Sequence, residues 1–306
     1  MQSVFDELYE NSLAKCEFKN LISIITAEEN IRLAYRNLKK NAGSRTPGTD
    51  GKTIADLAKM SEPELIGFVQ QKFNWYQPQS VRRKEIPKGN GKTRPLGIPT
   101  IMDRLIQQCV LQVMEPICEA KFCETSNGFR PNRGVENALA QAEKHMQKSN
   151  LHIVIDIDIK GFFDNVNHGK LLRQIWAMGI HDKKLLSIIS AMLKAEVAGI
   201  GFPEKGTPQG GILSPLLSNI VLNELDWWIT SQWVGMPTRH EYSGKIHENG
   251  TKDQSKKYRE LRKTNLKECY IVRYADDFKI FCRKHSDAVK LFEATRAWLK
   301  ERLGLD

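Results

Sequence analysis

Three aspartates have the residue type and placement for divalent-metal chemistry. Asp158 ends the alternating segment LHIVIDIDIK, and Asp276 and Asp277 lie between two apolar runs in CYIVRYADDFKIFCRK. Carboxylate oxygens are the ligands that Mg²⁺ prefers, and two such ions about 4 Å apart can hold the attacking and leaving oxygens of a phosphoryl transfer. If the two segments are neighbouring strands, three negative charges meet and require a compensating cation. We therefore predict a metal site at these three residues.

The Asp276–Asp277 pair by itself has a structural interpretation as well. Aspartate tolerates tight turns and bonds its own backbone there, so an Asp-Asp turn alone indicates no chemistry. Asp158 makes the metal site the favoured interpretation, because it also ends a strand-like segment that can lie beside the turn.

The elements that must position these carboxylates are strands backed by helices. In LHIVIDIDIK, four isoleucines at 153, 155, 157 and 159 fall on one face, and Asp156 and Asp158 fall on the other. CYIVRYADDFKIFCRK predicts a hairpin with its aspartates at the tip. Helical spacing predicts helices over 21–41, from 62 onward, and over 101–122, 134–148, 168–178, 182–195 and 214–233. The last segment predicts an amphipathic helix with these side chains inward: Leu291, Phe292, Thr295, Trp298 and Leu299.

Positive charge is concentrated in two segments. The 306 residues are 41% hydrophobic and carry a formal charge of +10, the sign expected of a protein that neutralises phosphates. Residues 82–104 hold seven basic and two acidic residues, and residues 239–267 hold nine and four, so each segment contributes +5. For the second segment, a solvated surface explains the charge equally well. The residues expected to contact RNA are Arg82, Arg83, Lys84, Lys256, Lys257, Arg259, Arg262 and Lys263.

Other classes of protein are poorly supported. Six cysteines form no C-x-x-C pair, no signal peptide begins the chain, and no apolar run approaches the roughly 20 residues that span a bilayer. We expect a soluble, cytoplasmic protein of a bacterium or an organellar matrix. The seven histidines show no H-E-x-x-H spacing, and Ser214 lacks a nucleophile elbow, which argues against hydrolases.

The motif series resembles that of group II intron-encoded reverse transcriptases, also called maturases. The elements that carry the resemblance occur in the family's order: RTPGTDG, IPKGNGKTRPLGIP, GFRP, DIKGFFDNV, TPQGGILSPLLSN and YADD. A YADD motif alone would be weak evidence for this family. The ordered set of motifs is specific for it and covers nearly the whole chain. The resemblance implies an RNA-directed DNA polymerase that uses two Mg²⁺ ions and deoxynucleoside triphosphates. It also implies intron RNA, an RNA template and a DNA primer as partners.

The resemblance assigns roles to residues outside the carboxylates. Lys88 and Arg94 match residues that grip the incoming triphosphate, and Gln209 matches a residue that lies against the nucleotide and the templating base. Phe163 occupies the position of the gate that rejects a 2′-hydroxyl, with core packing as the alternative, whereas Phe162 is expected to be buried.

Two further residues receive supporting roles. Asp156 is expected to assist the metal site from one pleat further back, or to be structural. Arg130 of GFRP is expected to anchor its loop by hydrogen bonds rather than to reach a phosphate.

The fold implied is α+β, with the right-hand architecture of polymerases. We expect helical fingers with a β-hairpin at 1–100, junction helices at 101–149, and a palm at 150–306 whose small antiparallel sheet is backed by helices. A basic, irregular insertion is expected at about 235–267. The family normally continues into a thumb, and we expect none within these 306 residues, which stop at Asp306. An exposed apolar face on the final helix would then favour a homodimer.

Two alternatives remain open. The chain could serve mainly as a non-catalytic, intron-RNA-binding splicing cofactor. Retron, diversity-generating and phage-defence reverse transcriptases are built around a similar motif, although the wording of IPKGNGKTRPLGIP and RTPGTDG favours the intron family.

Overall fold

The fold is α+β, with many helices and two small sheets. The computed structural model describes residues 1–306 except 88–90, 92, 243, 247 and 249–251, and except the side chain of residue 94. Two compact units are present. The first comprises Met1–Phe122, Gly161–Val221 and Leu303–Leu305, and the second comprises Cys123–Lys160, Leu222–Arg302 and Asp306. Each unit is built from segments that are distant in the chain.

The helices and strands have the following bounds. The helices are α1 Gln2–Leu13, α2 Leu21–Ile25, α3 Glu28–Lys40, α4 Ile54–Leu57, α5 Glu62–Asn74, α6 Ile101–Glu119, α7 Val135–Glu143, α8 Phe162–Asn165, α9 His168–Ala177, α10 Lys183–Leu193, α11 Ser214–Gln232, α12 Ser255–Leu261 and α13 His285–Trp298. The strands are β1 Arg82–Pro87, β2 Thr93–Ile98, β3 Ser126–Asn127, β4 Ile153–Asp158, β5 Cys269–Tyr274 and β6 Asp277–Cys282.

The first unit is organised around α6. Thr100 caps this helix, since its hydroxyl accepts from the Asp103 N–H, and most of the helix is buried. Helices α1, α2 and α3 pack against it. Strands β1 and β2 form an antiparallel hairpin in which Arg82 pairs with Ile98 and Pro87 with Thr93. This hairpin agrees with the β-hairpin that the sequence predicts within residues 1–100.

The second unit contains a four-stranded sheet in the order β3-β5-β6-β4. Strands β4, β5 and β6 are antiparallel to their neighbours, and the two-residue β3 runs parallel to β5. Helices α7 and α13 pack against this sheet. Along β4 the isoleucines are buried or half-buried while Asp156 and Asp158 are exposed, which confirms the predicted alternation. The YADD hairpin is also confirmed.

Some predicted elements differ in detail. The helix expected over 21–41 is broken into α2 and α3, because buried Asn30 donates from Nδ2 to the carbonyl of Ile25 at 2.8 Å and to that of Cys109 at 3.1 Å. Phe292 was expected to face inward but is 38% exposed, since α13 buries Ala288, Leu291 and Thr295 instead. The segment expected to be irregular at 235–267 contains α12.

Two general properties of the described residues bear on function. None of the helices in the described part of the chain is both long and apolar enough to cross a membrane. All six cysteines are free thiols, and five of them are buried.

Candidate active site

Asp158 and Asp277 lie directly opposite each other on neighbouring strands. Strands β4 and β6 pair in a register that sets Ile157 against Phe278 and Asp158 against Asp277. Residues directly opposite in an antiparallel pair point to the same face, with Cβ atoms about 4.5–5.5 Å apart. Both aspartates are exposed to solvent. The fold therefore brings two of the three predicted carboxylates together at one end of the sheet.

Asp276 belongs to the two-residue turn that joins β5 to β6. Tyr274 pairs with Asp277 across the hairpin, so Ala275 and Asp276 form the turn itself. Ala275 has a φ of 56°, in the left-handed region that favours glycine. A non-glycine residue held there costs on the order of 1–3 kcal/mol, and persists only where its surroundings enforce it.

Two hydrogen bonds hold the turn in this conformation. The Ala275 N–H donates to the Asn127 carbonyl at 2.9 Å. The Ala275 carbonyl accepts from Nη1 of Arg273 at 2.7 Å. Because both backbone groups of Ala275 are engaged, the position of half-buried Asp276 next to Asp277 is fixed by the second unit itself.

Arg273 joins this turn to a buried ion pair. Its Nη2 lies 2.6 Å from Oδ2 of Asp226 in α11, and both side chains are fully buried. Nη2 also donates to Oγ of Ser126 at 2.6 Å, so the guanidinium links α11, β3 and the YADD turn. An Arg fork suits this task because its donors are fixed in a plane.

The sequence interpretation did not identify Arg273 and Asp226. The available signal was a charged residue at a position of β5 where Ile271 and Cys269, two and four residues earlier, are buried. A charge on the buried face of a strand requires a partner, although the strand alone does not say which residue provides it.

Lys279 forms an ion pair with Asp156 but not with Asp158. Its Nζ lies 2.7 Å from Oδ1 of Asp156 and 3.7 Å from Oδ1 of Asp277. The hydrogen bond to Asp156 is the main cause that raises the pKa of Lys279 above its usual value. Within the part of the chain that the structure describes, the side chains of Asp158 and Asp276 make no hydrogen bond or ion pair. Asp156 is thus neutralised by a lysine, whereas Asp158 is not.

The donor set fits a hard divalent cation. All three groups are carboxylates, and the oxygens of the exposed pair face water, where side-chain rotation disturbs no core contact. Among the described residues, no group of three or more His, Cys, Asp or Glu side chains is already arranged to hold a metal ion. The backbone therefore assembles the carboxylates, and ligation requires their side chains to turn toward a common point.

Backbone hydrogen bonds involving Phe163 and Gln209 hold the TPQGG loop in the first unit. The Phe163 carbonyl accepts from the Thr207 N–H at 2.7 Å, and the Gln209 carbonyl accepts from the Gly97 N–H of β2 at 2.6 Å. The TPQGG loop is thereby tied to α8 on one side and to β2 on the other. Next to it lies a cleft of about 300 Å³ whose walls include Leu96 and Gln209.

The two aromatic residues of the DIKGFF motif are both buried. Phe162 is 2% exposed, as expected, and Phe163 is 9% exposed. Their rings meet edge to face with centroids 5.3 Å apart. Lys88 lies outside the described residues. Arg94 belongs to β2 through its backbone, and its side chain likewise lies outside the described part.

Several of the residues expected to contact RNA make contacts within the protein. Arg262 binds the carboxylate of Glu268 through Nε at 3.0 Å and Nη2 at 2.8 Å, and Lys257 donates to the Val234 carbonyl at 2.8 Å. Lys263 pairs with Glu260, and Arg83 with Glu85. These internal contacts identify structural partners for four of the eight, and contact with RNA stays a prediction for all of them. The others are Arg82, Lys84, Lys256 and Arg259.

Arg130 anchors its own loop, as expected. Its Nη1 donates to the carbonyl of Cys123 at 2.8 Å and to that of Ser126 at 2.7 Å. Those bonds hold the GFRP segment against the start of β3.

Comparisons with known proteins agree with the motifs. The family described as "Reverse transcriptase (RNA-dependent DNA polymerase)" matches residues 86–306. Protein YkfC of Escherichia coli (strain K12) is 34% identical over 275 residues, which cover 87% of this chain and 71% of YkfC. The group II intron-encoded protein LtrA of Lactococcus lactis subsp. cremoris is 34% identical over 345 residues, which cover 99% of this chain and 54% of LtrA.

One solved structure shows a more distant likeness. A chain of the Cas6-RT-Cas1–Cas2 complex matches with a TM-score of 0.46 and 20% identity, over 92% of this chain and 26% of that chain. At this TM-score the likeness supports no conclusion about fold or function.

Proposed function

Because the chain belongs to the reverse transcriptase (RNA-dependent DNA polymerase) family, we propose that it joins deoxynucleotides to the 3′-hydroxyl of a DNA primer on an RNA template. The observation that carries this proposal is the cross-strand pairing of Asp158 with Asp277, with Asp276 in the adjoining turn. The family implies dependence on a divalent metal. We propose Mg²⁺, two ions, and these three aspartates as the ligands.

The protein's own part in the reaction is mainly positioning. When bound, the ions supply Lewis-acid chemistry that acidifies the primer hydroxyl and neutralises charge on the leaving pyrophosphate. Asp158 and Asp277 would hold the metal from neighbouring strands, because the register places them side by side on one face. Asp276 approaches from the turn, whose geometry is enforced by Arg273. Asp156 stays paired with Lys279 and is not a ligand.

Four residues are proposed to bind the incoming nucleotide. Lys88 and Arg94 grip its triphosphate, for which a charged amine and a planar guanidinium are suited. Gln209 lies against the nucleotide, and Phe163 excludes a 2′-hydroxyl. The bond from Gly97 to Gln209 supports this assignment, because it couples the TPQGG loop to the hairpin that carries Arg94.

We propose the architecture of a right-hand polymerase for this chain. Fingers occupy 1–100, junction helices 101–149 and the palm 150–306, with the basic insertion at about 235–267. The β1–β2 hairpin supports the fingers, and the sheet that carries Asp158 and Asp277 supports the palm.

An intron context is proposed for the substrate. The chain spans 71% of YkfC and 54% of LtrA, and LtrA is by its name a group II intron-encoded protein. We propose that this chain also binds structured intron RNA through the basic segments 82–104 and 239–267, and so assists splicing. The exposed Phe292 and Val289 of α13 support self-association as a homodimer, which sedimentation would test.

The decisive experiment is Mg²⁺-dependent extension of a DNA primer on an RNA template with deoxynucleoside triphosphates. Asp158→Asn and Asp276→Ala are expected to lose at least about 100-fold in rate, because removing a ligand leaves the ions poorly held. Asp156→Asn is the matched control, since it changes a carboxylate on the same strand and face that already has a lysine partner. Extension that survives Asp158→Asn or Asp276→Ala but not Asp156→Asn would overturn the assignment.

Binding can be separated from catalysis with the same variants. Affinity for structured intron RNA that falls with salt and persists in Asp276→Ala is expected if the basic segments bind the phosphates. A wild-type chain that binds RNA without extending any primer would favour the splicing-cofactor role.

A further inference from the structure

A short loop lies directly against the YADD turn. It comprises residues 127–133, here named the 127–133 loop, and begins at Asn127, whose carbonyl accepts from the Ala275 N–H. At the next residue, Gly128, an added Cβ would lie 2.9 Å from the Ala275 nitrogen and 3.2 Å from two ring carbons of Tyr274. Only a glycine allows this approach. The loop and the turn therefore form one packed structure within the second unit.

The loop holds an aromatic residue in a costly backbone conformation. Phe129 has a φ of 56°, and so does Asn132. Asparagine tolerates the left-handed region, but a bulky aromatic residue rarely adopts it. Strain of this kind is on the order of 1–3 kcal/mol and concentrates at functional sites.

Hydrogen bonds keep the loop rigid in spite of that strain. Arg130 donates to two carbonyls, those of Cys123 and Ser126. The Gly128 N–H donates to the Arg133 carbonyl at 2.8 Å and closes the loop. The conformation of Phe129 is therefore imposed by its neighbours on both sides.

The imposed conformation leaves the ring of Phe129 in water. Its side chain is 48% exposed, whereas Asn127 is fully buried and Gly128 is buried. Leaving a large apolar ring half in solvent is unfavourable, since burial of a phenylalanine contributes about 1.5–3 kcal/mol. Strain and exposure at one residue indicate a surface built for a partner.

The position and charge of the loop indicate that its partner is a nucleic acid. The 127–133 loop has two arginines and no acidic residue. The loop packs against the turn that carries Asp276 and leads into Asp277, so a primer–template hybrid whose primer end is bound at these carboxylates lies close to the loop. Aromatic rings bind unpaired bases by stacking, which works with every base because each has a π face.

We infer that Phe129 is a stacking platform for an unpaired base of the RNA template, next to the primer end that is bound at the metal site. The inference rests on the proposed polymerase function for the identity of the strand. Phe129 belongs to the GFRP motif, and the inference gives it a role that neither the motif series nor the metal chemistry assigns. Phe129 positions the template, and it takes no part in the chemical step.

The test compares two hybrids of equal duplex length by fluorescence anisotropy. One has a DNA primer on an RNA template with a single-stranded 5′ overhang, and the other is blunt. Phe129→Ala is expected to weaken binding of the overhang hybrid by about 5- to 100-fold, because base stacking of that strength is lost. Binding of the blunt hybrid should change by less than about twofold.

Three further variants make the test specific for stacking. Phe129→Trp and Phe129→Tyr should keep the wild-type preference for the overhang, whereas Phe129→Leu should lose it although leucine is apolar. Leu139→Ala is the matched control, because Leu139 lies in the following helix and is 62% exposed. It should leave both affinities unchanged. Since Phe129 is half-exposed, its alanine variant should melt within a few degrees of wild type.

Several results would overturn the inference. Full overhang binding by Phe129→Leu would mean that any apolar side chain suffices, and equal losses on both hybrids would mean that the overhang is not contacted. A Phe129→Ala variant with unchanged RNA affinity but an altered sedimentation coefficient would assign the surface to self-association instead. Asp276→Ala keeps the two proposals apart. It should abolish extension yet bind the overhang hybrid normally, so each proposal can fail while the other stands.

Discussion

The guanidinium of Arg273 and the carboxylate of Asp226 form an ion pair in which both side chains have no exposure to solvent. Arg273 also donates to the carbonyl of Ala275, the residue before Asp276 and Asp277. Two charges buried away from solvent need their remaining hydrogen-bonding groups satisfied, and Oγ of Ser126 accepts a further bond from Nη2 of Arg273. The ion pair, together with the bond from Arg273 to Ala275, therefore fixes the YADD turn relative to α11.

Asp226→Asn is expected to be strongly destabilising. It leaves Arg273 buried with an uncompensated charge, which costs about 3–5 kcal/mol of the free energy of unfolding. Ser126→Ala removes one partner only and should cost about 1–3 kcal/mol. Urea unfolding followed by circular dichroism measures both. A loss from Asp226→Asn no greater than that from Ser126→Ala would contradict a buried pair.

A double substitution separates stability from positioning. Arg273→Met with Asp226→Leu replaces both charges by apolar groups of similar size and should restore most of the stability. The Ala275 carbonyl nevertheless loses its donor, so primer extension should remain below wild type with a raised Mg²⁺ requirement. Recovery of extension together with stability would show that Arg273 serves the fold alone.

Gly210→Ala tests the contact between the TPQGG loop and β2. An added Cβ would lie 2.6 Å from the Gly97 carbonyl oxygen, and the φ of Gly210 is 111°. Gly201→Ala is the matched control, because Gly201 has a φ of 108° and open space around its Cβ position. We expect Gly210→Ala to lower the free energy of unfolding by about 1–3 kcal/mol more than Gly201→Ala does. Denaturant melts measure this difference. Equal losses of the free energy of unfolding in the two variants would show that backbone strain alone accounts for the effect.

His145 makes the stability of the second unit depend on pH. Burial, followed by the charge of Lys144, lowers the pKa of His145 from 6.5 to about 4. The ring stacks on Tyr270 with centroids 4.7 Å apart. Because the unfolded chain takes up the proton first, stability is fully present above pH 6.5 and is lost as the pH falls toward about 4.

The His145→Phe substitution should remove this pH-dependent part of the stability and keep the stacking on Tyr270. Between pH 7 and pH 4, wild type should lose more free energy of unfolding than His145→Phe, by on the order of 1–2 kcal/mol. This figure is reduced because the ring is partly exposed. Chemical denaturation at a series of pH values measures it. Parallel pH profiles for the two proteins would refute the role of His145.

Phe163→Val tests the proposed gate. The smaller side chain should admit a 2′-hydroxyl, so that the ratio of kcat/KM for ribonucleotides to that for deoxynucleotides rises by about 10- to 100-fold. Phe162→Leu is the control, since the fully buried Phe162 should change stability and leave sugar selectivity intact. A Phe163→Val enzyme with unchanged selectivity would mean that Phe163 is only part of the core.

The motif series and its local periodicity predicted much of this protein. The family is confirmed by the match over residues 86–306 and by the 34% identity with YkfC. The exposed aspartates of β4 and the hairpin with Asp276 and Asp277 at its tip were predicted correctly, since alternation along one strand determines which side chains share a face. The anchoring role of Arg130 was also predicted correctly.

Contacts between distant segments were decided by the tertiary structure. Whether Asp158 lies opposite Asp277 depends on the register of two strands that are far apart in the chain. The partner of Arg273 is a side chain of α11, and the break between α2 and α3 depends on the hydrogen bond from the Asn30 side chain to a backbone carbonyl of α6. Periodicity within a segment reports which face is buried because it repeats with the backbone geometry. It carries no information on which other segment covers that face, so pairing, register and buried ion pairs emerge only when the chain folds.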